Sequence, residues 1–216
     1  MSRQIAFYLD FISPYAYLAF HDCPKALAGL DVEIHYQPIL FGALLQRHGQ
    51  LGPAEISGKR EWTYRQVLWL AQQQGCDLRL PSQHPFNPLA LLRLAVASLS
   101  GTPSDRAICQ QIFEYVWASG LDPSDAERFQ RLRDALNPPS DPASQTVKDR
   151  LRDATESALQ DGVFGVPTFA VDGKLFWGRD ALPMLRDYLM GAGWFGSGQW
   201  EDCASLPIGV RRTRIS

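Results

Sequence analysis

The stretch "FYLDFISPYAYLAF", residues 7–20, begins as a strand and ends as a helix. Aromatic and branched side chains fill Phe7 to Phe11 on both faces, the pattern of a strand lying inside a sheet. Ser13-Pro14 then supplies a helix start: serine as N-cap, and proline at the first helical position, where its missing N–H costs nothing. Such a corner gathers the free N–H groups and the positive end of the helix at one spot. In one large class of α/β folds a reactive cysteine occupies that spot, and here Ser13 stands in its place. A helix dipole worth about 1 kcal/mol does not ionise a serine hydroxyl. Ser13 can cap its helix, or it can donate a hydrogen bond to a thiolate brought from outside.

The chain of 216 residues is 45% hydrophobic and 20% charged, an ordinary globular composition. A net charge of -2 and the lack of a Lys/Arg block exclude the usual nucleic-acid binder. The short "RRTR" at 211–214 reads as a solvated tail. Cys23, Cys76, Cys109 and Cys203 form no C-x-x-C pair, so neither a zinc knuckle nor a dithiol redox motif is present. Their wide spacing, the absence of a signal-peptide pattern and the absence of any run near ~20 apolar residues read as a soluble cytoplasmic protein without a membrane span.

Outward from the corner, the first helix is expected to run through Ala28 and stop at Gly29. "VEIHYQPIL" alternates into a second strand ended by Pro38, completing a β-α-β unit with parallel strands. Residues 41–58 read as Gly-rich and irregular. Helical periodicity follows for about a hundred residues. Gly75 closes the first helix of that block, Asn87 and Pro88 open the next, and the last ends at Gly162. "VPTFAVDGKLFWG" is then two short strands joined by Asp172-Gly173, a two-residue hairpin signal. A final helix begins near Asp180 with Pro183 in its first turn, and the remainder reads as an irregular, partly docked extension. The order β-α-β, helices, β-hairpin-α fits a thioredoxin-like α/β fold with an inserted all-helical domain, among other α/β arrangements. The expected division is residues 1–45 and 160–216 for the thioredoxin-like part, and 46–159 for the insert.

"GVPTF" at 165–169 is the second motif. In thioredoxin-like folds a proline opening this late strand is cis, and the residue before it, here Val166, offers its N–H and C=O to an extended peptide. No histidine shows metal spacing, and Ser13 lies outside a G-x-S-x-G elbow, which argues against a Ser–His–Asp hydrolase. Each of the four histidines reads as a surface or core-edge residue; His84-Pro85-Phe86-Asn87 lies in a loop entering the insert and is a candidate lining of the substrate cleft. Asp10, three residues before Ser13, is either a buried group tuning the site or a strand-end hydrogen-bonder.

Together "YLDFISPYAYLA", "PAEISGKREWTY", "HPFNPLALLRLA" and "DGVFGVPTFAVDGKLFWGRDAL" resemble the 2-hydroxychromene-2-carboxylate isomerases, relatives of the kappa-class glutathione transferases, over roughly residues 4–190. The resemblance implies a glutathione site: Ser13 catalytic beside the glutathione sulfur, Val166 and Pro167 clamping its cysteinyl part, Asp180 meeting its γ-glutamyl ammonium, and Lys59 reaching it from the insert. Arg179 stands where relatives often carry a small or amide residue, and is expected either at a carboxylate of glutathione or of the substrate, or in solvent. Gln50 and Trp62 replace a more usual Asn and Tyr, departures that bear on substrate shape. Tyr15, Trp62, Phe86, Asn87 and Trp177 are candidates to line an aromatic substrate. The implied activity is glutathione-dependent isomerisation in aromatic catabolism by a homodimer. The alternatives are a kappa-like glutathione transferase and a redox-inactive thioredoxin-like module that binds peptides.

Overall fold

The computed structural model describes residues 2–102 and 105–210, so the "RRTR" tail lies outside the described residues. Four strands form one mixed sheet in the order β2-β1-β3-β4. β1 (Arg3–Leu9) runs parallel to β2 (Val32–Pro38) and antiparallel to β3 (Thr168–Val171), which pairs antiparallel with β4 (Lys174–Trp177). Burial along β1 alternates: Ile5, Phe7 and Leu9 are fully inside, whereas Ala6 and Tyr8 are half-buried. The strand is therefore less evenly buried than its two apolar faces imply. The Asp172-Gly173 turn has φ of 50° and 74°, the two positive values that such a hairpin requires.

α1 (Pro14–Ala26) links β1 to β2 and buries Tyr17, Leu18 and Phe20; Phe20 packs on Tyr36 of β2, and Tyr17 on Phe113 of the helical segment. Pro24 lies inside this helix and cannot donate to the carbonyl of Phe20 one turn back. Arg106 fills that acceptor: both terminal nitrogens lie 3.3 Å from Phe20 O, and its guanidinium stacks 4.1 Å over the Phe20 ring. The helix stops two residues before the expected Ala28. Arg186 donates to the carbonyls of Ala26 and Ala28, which fall at that frayed end.

Between β2 and β3 stand α2 (Phe41–His48), α3 (Lys59–Gln74), α4 (Leu89–Ser98), α5 (Asp105–Trp117), α6 (Ala126–Leu136) and α7 (Gln145–Gln160). α2 corrects the sequence reading, which made 41–58 irregular. Gly42 is tolerated inside it because Phe41 N–H is held by Asp10 (2.9 Å) and Leu40 N–H by Thr155 (3.1 Å), so tertiary bonds start the helix. α4 begins at Leu89, later than expected; Asn87 Oδ1 accepts from Leu89 N–H and turns the chain into it. Gly75 closes α3 in the left-handed region as expected. Trp117, fully buried, donates to Phe11 O at 2.8 Å and ties α5 to the segment just before Ser13.

α8 (Leu182–Leu189) has Pro183 in its first turn and packs against α1 and β4. Beyond it the extension docks through Trp200 and Phe195 onto Phe176 and Tyr188, with Lys174 and Glu201 paired at 3.0 Å. It thereby packs on side chains of β4, one of the two edge strands. Replacing Arg106 by leucine strands the Phe20 carbonyl, and urea unfolding is expected to register a loss of about 1–3 kcal/mol. In a Pro24→Ala background, where the helix supplies its own donor, the same change should cost measurably less.

Candidate functional site

Because β1 and β3 pair with Tyr8 opposite Thr168, the chain leaving β1 toward Ser13 emerges beside the chain entering β3 through Val166-Pro167. Ser13 is buried and caps α1: its hydroxyl oxygen accepts from Ala16 N–H at 3.2 Å, and its own N–H donates to Asp10 O at 3.0 Å. The cap uses the oxygen's lone pair and leaves the hydroxyl proton unspent. Pro14 has no N–H, Ala16 is bonded to Ser13, and Tyr17 donates to Ser13 O at 3.2 Å. The Tyr15 N–H is then the free backbone donor of this first turn. One hydroxyl proton and one N–H thus converge at a positive helix end.

The Val166-Pro167 peptide bond is cis. The Val166 side chain is buried in a small core with Ile39, Leu44, Ala158 and Val163. Among the described residues no bond engages the Val166 N–H or C=O, while Pro167 O accepts from Gly178 N–H at 2.8 Å. Gly178 has φ +95°, and a Cβ there would lie 2.4 Å from Asp180 Oδ1, so this turn needs glycine to bring the carboxylate back over it. Asp180 is exposed and close enough to Tyr15 to act on its hydroxyl. Burial is the main cause that raises the Tyr15 pKa, with the Asp180 charge adding to it. Trp177, the partner of Thr168, is 55% exposed, leans on Phe164 at 5.0 Å and closes over Gly165.

The helical segment grips α1 along its length. Tyr15 O–H donates to Gln66 at 2.6 Å and Gln74 donates to Asp22 at 2.5 Å, so α1 and α3 run side by side in the same direction. Lys59 is seven residues before Gln66, about 10 Å upstream along α3 at 1.5 Å per residue. It is exposed, at the helix end that projects past the start of α1. Trp62 is exposed on the same stretch. Arg179 is committed within the fold: its Nε lies 2.7 Å from Asp22 Oδ2, an ion pair although the N–H is not aligned along that line. Phe86 is buried and packs toward His84, and Asn87 turns the chain into α4. Ser13, Tyr15, Val166, Pro167, Trp177 and Asp180 therefore gather at one corner. Lys59 and Trp62 flank it on α3; Phe86 belongs to the main core, against which Tyr15 also packs, and Asn87 serves the start of α4.

Two residues do more at the corner than the sequence reading gave them. His84 Nε2 donates to Ile12 O (2.8 Å), and its Nδ1 accepts from the Tyr64 hydroxyl (2.8 Å), which fixes the tautomer. Burial lowers the His84 pKa, consistent with a neutral ring. Arg60 donates to His84 O at 3.0 Å. The loop before Ser13 is thus pinned from the insert by a histidine that shows no metal or triad spacing. Asp10 is fully buried and accepts from Ile12 N–H (3.1 Å) and Phe41 N–H (2.9 Å), so it is at once a buried polar group and a hydrogen-bonder at the strand end. Burial dominates those bonds and raises its pKa to about 7.

Fold and corner together define a thioredoxin-like protein whose reactive position carries a hydroxyl instead of a thiol. The model of the DsbA-like thioredoxin domain matches residues 4–190, and the chain belongs to that family. It is 27% identical over 197 residues to the 2-hydroxychromene-2-carboxylate isomerase of Sphingobium xenophagum, covering 88% of this chain and 100% of the relative. It is also 27% identical over 211 residues to glutathione S-transferase kappa 2 of Caenorhabditis elegans, covering 87% and 92%. A solved 2-hydroxychromene-2-carboxylate isomerase superposes with a TM-score of 0.74 at 25% identity, over 93% of this chain and 98% of that one. The resemblance read from the motifs is borne out.

A group whose folded-state pKa is raised stabilises the fold while protonated and loses that contribution as it ionises. The Asp10 contribution is therefore complete below about pH 4 and gone above about pH 7. Thermal unfolding from pH 4 to 8 should show the wild type losing stability relative to Asp10→Asn across that window. A constant difference would remove the assigned protonation. Replacing His84 by phenylalanine should leave the fold intact by circular dichroism and accelerate amide exchange at residues 11–13; His84→Gln, which keeps a donor, should exchange more slowly than the phenylalanine variant.

Proposed function

We propose that the protein is a glutathione-dependent isomerase that interconverts 2-hydroxychromene-2-carboxylate and trans-o-hydroxybenzylidenepyruvate in aromatic-compound catabolism. The observation that carries this reading is the unspent Ser13 hydroxyl proton and Tyr15 N–H at the start of α1, beside the unpaired backbone groups of Val166. These donors suit an anion the size of a sulfur, and none of the four cysteines lies there to supply one. Cys23, on α1 itself, is buried and its thiol pushed up to about 12.

The residues fit glutathione group by group. Val166 pairs through its N–H and C=O with the extended cysteinyl backbone. Asp180, exposed above Gly178, takes the ammonium, and Lys59 on the projecting end of α3 takes a carboxylate. Bound there, glutathione supplies a thiolate that adds reversibly to a conjugated carbon and frees the former double bond to rotate. Ser13 donates to the sulfur and, with the helix end, keeps it ionised. Arg179 is held by Asp22, which leaves the carboxylate of glutathione to Lys59. Trp177 and Phe164 form an apolar lip beside Pro167 against which an aromatic ring packs. The expected cytoplasmic homodimer belongs to the same reading.

The second reading, a kappa-like transferase, is favoured by the kappa relatives and uses the same residues, but the adduct leaves instead of reverting. Calorimetry with glutathione separates both from a peptide-binding module: absence of binding at millimolar glutathione would overturn the two enzyme readings together. With the benzylidenepyruvate as substrate, Ser13→Ala should bind glutathione within a few-fold of wild type and isomerise about 10- to 100-fold more slowly. A rate unchanged in that variant, or independent of glutathione, refutes the mechanism. Accumulation of a stable conjugate selects the transferase.

A further inference from the structure

A second concave site lies away from the Ser13 corner, in a cleft of about 610 Å³ between α2, α4 and α7. It shares no lining residue with the corner and falls in the size range of small-molecule sites, about 300–1,000 Å³. Its wall is apolar where Leu40, Leu151 and Leu159 meet. Onto this wall converge three cations from three different helices, Arg47 of α2, Arg93 of α4 and Lys148 of α7. Among the described residues none of the three has an ion-pair or hydrogen-bond partner. Arg93 goes further: its Nε is buried with no acceptor, a polar atom whose desolvation nothing in the fold offsets.

The other two charges of the cleft do not cancel this field. Arg152 is already held by Asp149 (2.6 Å) and Asp153 (3.0 Å). Glu156 is a single exposed carboxylate against the three unpaired cations. The walls are fixed relative to each other, because Thr155 on α7 accepts from Leu40 N–H at the start of α2 (3.1 Å) while donating to Leu151 O (2.8 Å). In a chain of net charge -2, three uncompensated cations around a leucine surface form a local exception.

We propose that this cleft is a second ligand site, which takes a small apolar carboxylate such as an aromatic or acyl acid. The carboxylate meets Arg93 and Lys148, and the hydrocarbon part covers Leu40, Leu151 and Leu159. The site is independent of glutathione and of the reaction at Ser13.

The test is titration calorimetry of the full chain with 2-naphthoate, with 2-naphthol as the neutral control, in the absence and presence of excess glutathione. Saturable one-site binding of 2-naphthoate is expected, at least about tenfold tighter than 2-naphthol and unchanged by glutathione. The Arg93→Gln, Lys148→Gln double variant should weaken it about tenfold or more. If that variant fails to fold by circular dichroism, Lys148→Gln alone, a surface change, should still weaken binding several-fold. Absence of saturable binding, equal affinity for the neutral control, affinity unaffected by the substitutions, or displacement by glutathione would each overturn the proposal.

Discussion

The pairing of β1 with β3 is the constraint on which the site depends. These strands stand some 160 positions apart in the chain, and their union rests on a short antiparallel ladder sealed by the stack of Phe7 on Phe169, with ring centroids 4.4 Å apart. The residues gathered at the candidate corner lie just past its ends. Ser13 follows β1 by four residues, Val166-Pro167 immediately precedes β3, and the hairpin into β4 returns Gly178 to Pro167 and delivers Asp180. A slip of the ladder by one residue would reverse every side chain of β3 and separate the two halves of the corner.

A site assembled from distant segments needs its approach loops held, and the helical segment holds them. His84 takes the carbonyl of Ile12, Trp117 that of Phe11, and Gln66 the hydroxyl of Tyr15. Asp10 fixes the same loop from beneath and starts α2 with its other oxygen. These bonds satisfy backbone groups in a buried, irregular stretch, where an unpaired carbonyl or N–H costs more than an ordinary hydrogen bond contributes. The insert is therefore a clamp on the strand-to-helix corner as well as one wall beside it. The same economy explains Pro24, whose lost donor is replaced by Arg106 from α5.

Charge is distributed in two regimes. At the corner the cation nearest in sequence to Asp180 is already neutralised: Arg179 pairs with Asp22, which also accepts from Gln74, and the three residues lock the last turn before α8 to α1 and α3. This leaves the backbone and hydroxyl donors of α1 as the local positive field. Away from the corner, Arg47, Arg93 and Lys148 have no ion-pair partner among the described residues and lie around leucines. Paired ions hold structure where precision is needed, and unpaired ones leave free energy available for an outside anion.

Much of this was legible in the chain. Ser13-Pro14 as a helix start, the Asp172-Gly173 hairpin, Gly75 as a helix stop and the order of elements all follow from local rules, because caps and tight turns are decided by the few residues that form them. α2 was missed because its first N–H groups are satisfied by Asp10 and Thr155, partners about 30 and 115 residues away that no local pattern reveals. The bond of His84 to Ile12 O is hidden from the sequence for the same reason, since the carbonyl lies about 70 residues away. Arg179 could not be assigned from sequence because its neighbour Asp22 lies on another helix. By itself, then, the sequence determined the corner, the late proline, the hairpin and the family resemblance they carry. Only the tertiary structure decided which donors at that corner remain unspent, which cation is already taken and where three others converge, because each depends on hydrogen-bond and ion-pair partners brought together by the closing of the sheet.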